Sequence, residues 1–152
     1  MKKILSAVML FFAINASAQI PEIIWQQCYG SPELDMSNGI VSKVDGLLIA
    51  IHLRDSIPGI SNYHAMGDIW IINTDSTGII IWEKCFGGSK ADVPQKLIKK
   101  SEDEFFIFGY SYSTDGDVQS GNHGYSDIWV VKINGQGDIL WEKTYGCVGI
   151  DD

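Results

Sequence analysis

An all-β protein made of repeated four-stranded antiparallel units is what this sequence predicts, and three observations predict it. A phrase recurs: IIWQQCYGSPELD, ending at Asp35, returns as IIWEKCFGGSKAD, ending at Asp92, and as ILWEKTYGCVGID, ending at Asp151. Its landmarks keep one period, because Trp25, Trp82 and Trp141 are separated by 57 and then 59 residues, as are Gly30, Gly87 and Gly146. Between these landmarks lie short apolar runs rich in β-branched and aromatic residues, punctuated by Gly, Asn and Asp, and no stretch beyond the leader carries a helical stripe. Composition agrees, with 45% hydrophobic residues and 16 Gly against 4 Pro: a folded chain with many tight turns, neither disordered nor collagenous.

Taken in order, residues 23–28 read as a lone strand ahead of the first complete unit. That unit supplies strands at 40–43, 47–53, 68–74 and 79–85. The second supplies 95–100, where the alternation is weak, the apolar run 104–111, then 126–133 and 138–145. Asn134-Gly135-Gln136-Gly137 suits a tight hairpin, because Asn and Gly tolerate positive φ. Residues 68–88 align without a gap on residues 127–147, placing Gly78 on Gly137 and Trp70 on Trp129. All five tryptophans therefore occupy repeated positions, and they are expected to fill the spaces between units.

Four antiparallel strands per period describe a β-propeller blade, with the extra length absorbed by the loop before Asp-Ile-Trp. The expectation is a β-propeller-like domain over residues 19–152, with two complete blades plus one extra strand. In its D-I-W-V-V-K and I-L-W-E-K-T-Y-G phrases and the downstream Asp, the chain resembles the secreted β-propeller repeat proteins of Gram-negative bacteria. That resemblance covers nearly all of residues 23–152. Two blades cannot close a ring, so further blades of the same chain or other copies are expected as partners, and the sequence reads as the N-terminal part of a longer protein.

Met1 to Ala18 has the features of a cleavable signal peptide: Lys2 and Lys3, an apolar run from Ile4 to Ile14, and Ala16-Ser17-Ala18 before Gln19. The run is too short to span a bilayer and no second one follows, so the expectation is an exported protein, secreted or at the cell surface, with no membrane span. Lys plus Arg number 11 against 19 Asp plus Glu, for a net charge of −8, which excludes a nucleic-acid-binding surface. Cys28, Cys85 and Cys147 lack the spacing of a zinc site, and Cys28 and Cys85, at equivalent repeat positions, are too far apart to be bridged.

Candidate chemistry is sparse. Asp115 and Asp117, in a Ser-Thr-Asp-Gly-Asp loop, offer hard oxygens for calcium, although the same pattern suits an Asp-Gly turn whose carboxylates accept backbone N–H groups. His64 and His123 both stand four residues before the Asp of Asp-Ile-Trp, and a residue that recurs in every unit points to a structural hydrogen bond rather than a catalytic base. His52 is assigned to packing, and Asp35, Asp68, Asp92, Asp127 and Asp151 to holding turns between strands. No nucleophile elbow, zinc helix or phosphate loop is present. The expected function is a non-enzymatic module for binding or scaffolding, its protein or carbohydrate ligand unspecified and no cofactor required. The alternatives are part of a propeller-fold polysaccharide hydrolase or lyase, and a calcium-stabilised adhesin.

Overall fold

The computed structural model describes residues 21–64 and 66–148; the expected leader, residues 1–18, and Asp151 lie outside the described residues. Eight strands form two four-stranded antiparallel sheets, ordered as the chain runs. The first sheet holds β1 (Met36–Lys43), β2 (Gly46–Leu53), β3 (Asp68–Asp75) and β4 (Ile80–Phe86). The second holds β5 (Asp92–Lys99), β6 (Glu104–Ser111), β7 (Asp127–Asn134) and β8 (Ile139–Tyr145). The described residues contain no helix, so the all-β, blade-like repeat stands.

Both first strands begin earlier than their alternation suggests, at Met36 and Asp92. A bulge explains the missing signal: the register of β1 slips between Ser37 and Gly39, and that of β5 between Pro94 and Lys96. An extra residue shifts every later side chain to the opposite face, which scrambles the period of two. A second pair of bulges sits where β4 and β8 pair with their inner neighbours, opposite Asn73/Thr74 and Lys132/Ile133. The repeat is thus kept in its irregularities as well as its strands.

Residues 23–28 do not form the expected ninth strand. They carry no strand assignment, and Ile23 and Ile24 are exposed. A strand exists through its ladder, and no third strand of a neighbouring sheet lies beside this segment among the described residues to accept one. It is nonetheless placed. Tyr29 donates its hydroxyl to the Gly78 carbonyl, and the Trp25 ring lies over Gly78.

The main core lies between the sheets. Leu48, Ala50, Ile69, Ile71 and Phe86 of the first sheet meet Leu97, Phe105, Ile107, Trp129, Val131 and Ile133 of the second. A smaller cluster, including Ile49, Ile51, Trp70 and Cys85, covers the other face of the first sheet beneath Tyr29, Ile57, Ile60 and Tyr63. The second sheet's outer face has no such cover. Strand pairing places Phe106, Phe108, Ile128 and Trp141 of that face where Leu48, Ala50, Ile69 and Trp82 stand in the first sheet. Ile69 is fully buried whereas Ile128 is 41% exposed, and Trp82 packs on the core whereas Trp141 is 43% exposed. The expectation that every tryptophan fills an inter-blade space therefore holds for Trp82 and Trp129, while Trp70 is buried on the other face of the first sheet, beneath Tyr29 and Tyr63. It is corrected for Trp141, whose face meets no further sheet among the described residues, and for Trp25, which is 38% exposed on its turn.

Candidate functional site

The junction between the sheets is organised by aspartates at strand ends. Asp68 opens β3 and accepts, through Oδ2, the His64 backbone N–H at 2.9 Å and a hydrogen bond from His64 Nδ1 at 3.0 Å. Asp127 opens β7 and does the same with His123, at 2.9 and 2.6 Å. Asp92 opens β5 and accepts the Gly88 N–H and the Ser113 hydroxyl, both at 2.8 Å, while Asp35 accepts N–H groups from Ser31 and Arg54. These contacts tie each aspartate to the turn that precedes its strand, which is how an acceptor side chain fixes a turn.

Two of these carboxylates converge on Gly87. A Cβ there would lie 2.6 Å from Asp92 Oδ2 and 2.9 Å from Asp68 Oδ1, so only glycine fits. Both aspartates are fully buried, and Oδ1 of each lacks a hydrogen-bond partner. Burial pushes Asp68 up to about 6, against the hydrogen bonds from His64 and helped by the neighbouring Asp92 charge. Burial raises Asp92 as well, against the hydrogen bonds it accepts. The pair is sealed from solvent.

Asp115 and Asp117, the calcium candidates, are both turned onto the Phe-Gly-Gly turn of the first unit. Asp115 Oδ1 accepts the Ser89 N–H at 2.7 Å, and Asp117 Oδ2 accepts the Gly87 N–H at 3.2 Å. Hydrogen bonds from Ser89 hold Asp115 below the usual carboxylate range, whereas burial raises Asp117. Among the described residues no group of three or more His, Cys, Asp or Glu is placed to hold a metal ion. His52 is buried on β2 with both ring nitrogens unpartnered, and burial lowers its pKa. Cys85 is buried and Cys28 exposed, and no disulfide joins them.

A second repeated contact locks one unit to the next. Trp82 donates Nε1–H to the Gly135 carbonyl at 3.1 Å, and its ring lies against Gly137, where a Cβ would come within 2.8 Å. Trp25 meets Gly78 in the same way, at 2.7 Å. Both glycines have positive φ, 85° at Gly78 and 76° at Gly137, so the turn and the ring both demand glycine. Gly137→Ala is therefore expected to cost about 1–3 kcal/mol in urea unfolding, the order of a forced left-handed residue. Gly78→Ala is expected to release residues 21–31 to limited proteolysis with a smaller loss, because Trp25 and Tyr29 hold that segment on Gly78 and no strand ladder does.

One feature of the surface escaped sequence reasoning. Tyr110, Tyr112, Tyr125 and Lys90 line an open hollow of about 520 Å³ beside Met66 and Val93. Tyr110 and Tyr112 pack edge-on at 5.9 Å, and Tyr112 and Tyr125 at 5.2 Å. The Tyr-Ser-Tyr alternation at 110–112 was the available signal, but Tyr125 joins it only through the pairing of β6 with β7. A larger hollow of about 640 Å³ lies beside Trp141, and its charged groups are already engaged: Lys84 pairs with Asp138 at 2.8 Å, Asp117 accepts the Gly87 N–H and Glu142 accepts from Ser120.

Two sheets of equal order, joined by a repeated tryptophan-on-glycine contact, define a β-propeller-like repeat protein represented by two blades. No family model and no curated protein matches the chain in sequence. No helix of the described residues is long and apolar enough to cross a membrane.

Proposed function

We propose that the chain is an exported, non-enzymatic β-propeller repeat module that binds or scaffolds at the cell surface or outside the cell. The observation that carries this reading is the outer face of the second sheet. Phe106, Phe108, Ile128 and Trp141 repeat the positions by which the first sheet packs on its neighbour; Ile128 and Trp141 stand exposed and Phe106 and Phe108 are half-buried. An apolar sheet face of this kind is an association surface. Its fitting occupant is another unit of this repeat, which a second copy of the chain supplies. The aspartates favour a structural role over hydrolysis, since each one opening a strand spends an oxygen on backbone N–H groups and the closest pair is sealed.

Sedimentation velocity tests the association. The native chain is expected to exceed the monomer mass as concentration rises, and Phe106→Lys to remain monomeric with an unchanged circular-dichroism spectrum. A native chain that stays monomeric at its highest soluble concentration would remove the scaffold reading. New reducing ends released from a polysaccharide panel, and lost in Asp117→Asn, would put a hydrolase in its place.

A further inference from the structure

Four side chains break the repeat together, and they line one hollow. Lys90, Tyr110, Tyr112 and Tyr125 stand where the first unit has Glu33, His52, Arg54 and Met66. Asp-Ile-Trp, Trp-Glu-Lys, Gly78 with Gly137 and the strand-opening aspartates are kept in both units, and inner-strand positions such as Leu48/Phe106 and Ala50/Phe108 exchange one apolar residue for another. A scaffold needs its copies alike, whereas a recognition site is needed once. These four departures put three aromatic rings and one cation around a single hollow in place of an acid, an imidazole, a guanidinium and a thioether, and that change of chemistry points to a ligand.

The chemistry of the hollow narrows that ligand. Its three rings are held edge-on to one another, which leaves Tyr125 64% exposed. None of the three phenol hydroxyls makes a hydrogen bond, and the Lys90 ammonium makes no ion pair, among the described residues. A wholly apolar ligand would strip water from these groups and leave them unpaired, at a cost of about 1–3 kcal/mol each. A pyranose ring satisfies both demands. Its C–H faces are complementary to the negative faces of aromatic rings, and its hydroxyls can pair with phenol oxygens and an ammonium. The volume lies within the range of small-ligand sites, roughly 300–1,000 Å³.

A further unit on the second sheet would not close this hollow. In the first unit, whose face is already covered, Leu34, Met36 and Met66 remain exposed at the corresponding rim, and only His52, at the Tyr110 position, is buried. We propose that the hollow lined by Tyr110, Tyr112, Tyr125 and Lys90 is a saccharide-binding site that stacks a pyranose ring on tyrosine and anchors its hydroxyls through the phenols and Lys90. This rests on the binding-module reading and names its ligand class.

The test is a glycan array probed with the labelled full chain, followed by calorimetric titration with cellotetraose, a neutral tetramer, and tetragalacturonate, an acidic one. At least one pyranose oligosaccharide is expected to bind. Tyr125→Ala is expected to weaken it tenfold or more, about 1.4 kcal/mol, with unchanged melting, and Tyr125→Phe, which keeps the ring, by a smaller factor. Lys90→Ala is expected to weaken the acidic tetramer more than the neutral one where the natural ligand is a uronate, and both alike where it is neutral. Binding that Tyr125→Ala leaves intact overturns this site while sparing the binding module, because the ligand then sits elsewhere. No binding to any glycan overturns the inference, and together with a monomeric native chain in sedimentation it takes the binding-module reading down too.

Discussion

Trp129→Ala is expected to cost about 3–5 kcal/mol, the largest loss from any single side chain of the second sheet. Trp129 is fully buried between the sheets, the bulkiest side chain sealed there. Its Nε1–H donates to Glu142 Oε2 at 2.8 Å, and Glu142 also accepts the N–H and hydroxyl of Ser120 at 2.7 and 2.8 Å. Removing the indole thus leaves a cavity at the junction and deletes one donor from a carboxylate that the 114–125 loop still holds. Trp141→Ala is the internal control. It removes an indole of the same size from a half-exposed face, where it packs edge-on against Phe106, a contact worth about 0.5–1.5 kcal/mol. Urea unfolding of the two variants decides the matter. Equal losses would mean that the sheets are not stabilised by their mutual burial.

Asp68→Asn is expected to remove a stability loss that the native chain suffers as pH rises. Burial lifts the folded-state Asp68 from 3.8 to about 6, which corresponds to about 3 kcal/mol. The folded chain therefore keeps this proton to about pH 6, whereas the unfolded chain loses it near pH 3.8. Across that window the folded state binds more protons, so stability falls as pH rises and the penalty is complete above about pH 6. Asp92, raised in the same direction by the same cause, adds to the slope. Glu104 works oppositely: Lys100 and Lys132 hold it near 2, so its contribution is lost only in stronger acid. Urea midpoints between pH 4.5 and 8 should decline for the native chain and decline much less for Asp68→Asn, whose side chain keeps an acceptor for His64 without the charge. His52, whose pKa burial lowers, pulls the other way as pH rises through the imidazole range, so the comparison is between variants: native and Asp68→Asn profiles of equal slope would refute the buried ionisation.

How far the sequence went is visible in particular residues. The Trp-Glu-Lys and Asp-Ile-Trp phrases located four of the eight strands closely and the apolar runs at 47–53 and 104–111 two more, because an apolar run bounded by turn residues is a local signal. β1 and β5 were legible only in their second halves, since the bulges at Asn38 and Gln95 break the alternation that marks a strand. Residues 23–28 have strand composition without strand structure, because a ladder requires a partner and composition cannot supply one. Asp115 and Asp117 stood out as possible calcium ligands, yet their nearest partners are the amides of Ser89 and Gly87, residues of the turn before β5. The tyrosine hollow stayed hidden because its parts come from separate strands and loops.

By itself, then, the sequence determined the period, the strand content and which residues are equivalent between units. All of these depend on local composition and spacing, which a linear reading measures directly. Tertiary structure alone decided which equivalents are covered, so that Ile69 is sealed and Ile128 open, and which side chains meet, as Asp68 and Asp92 do around Gly87 and Tyr112 does with Tyr125. Burial and convergence depend on which sheet face lies against which neighbour. No spacing along one strand records that.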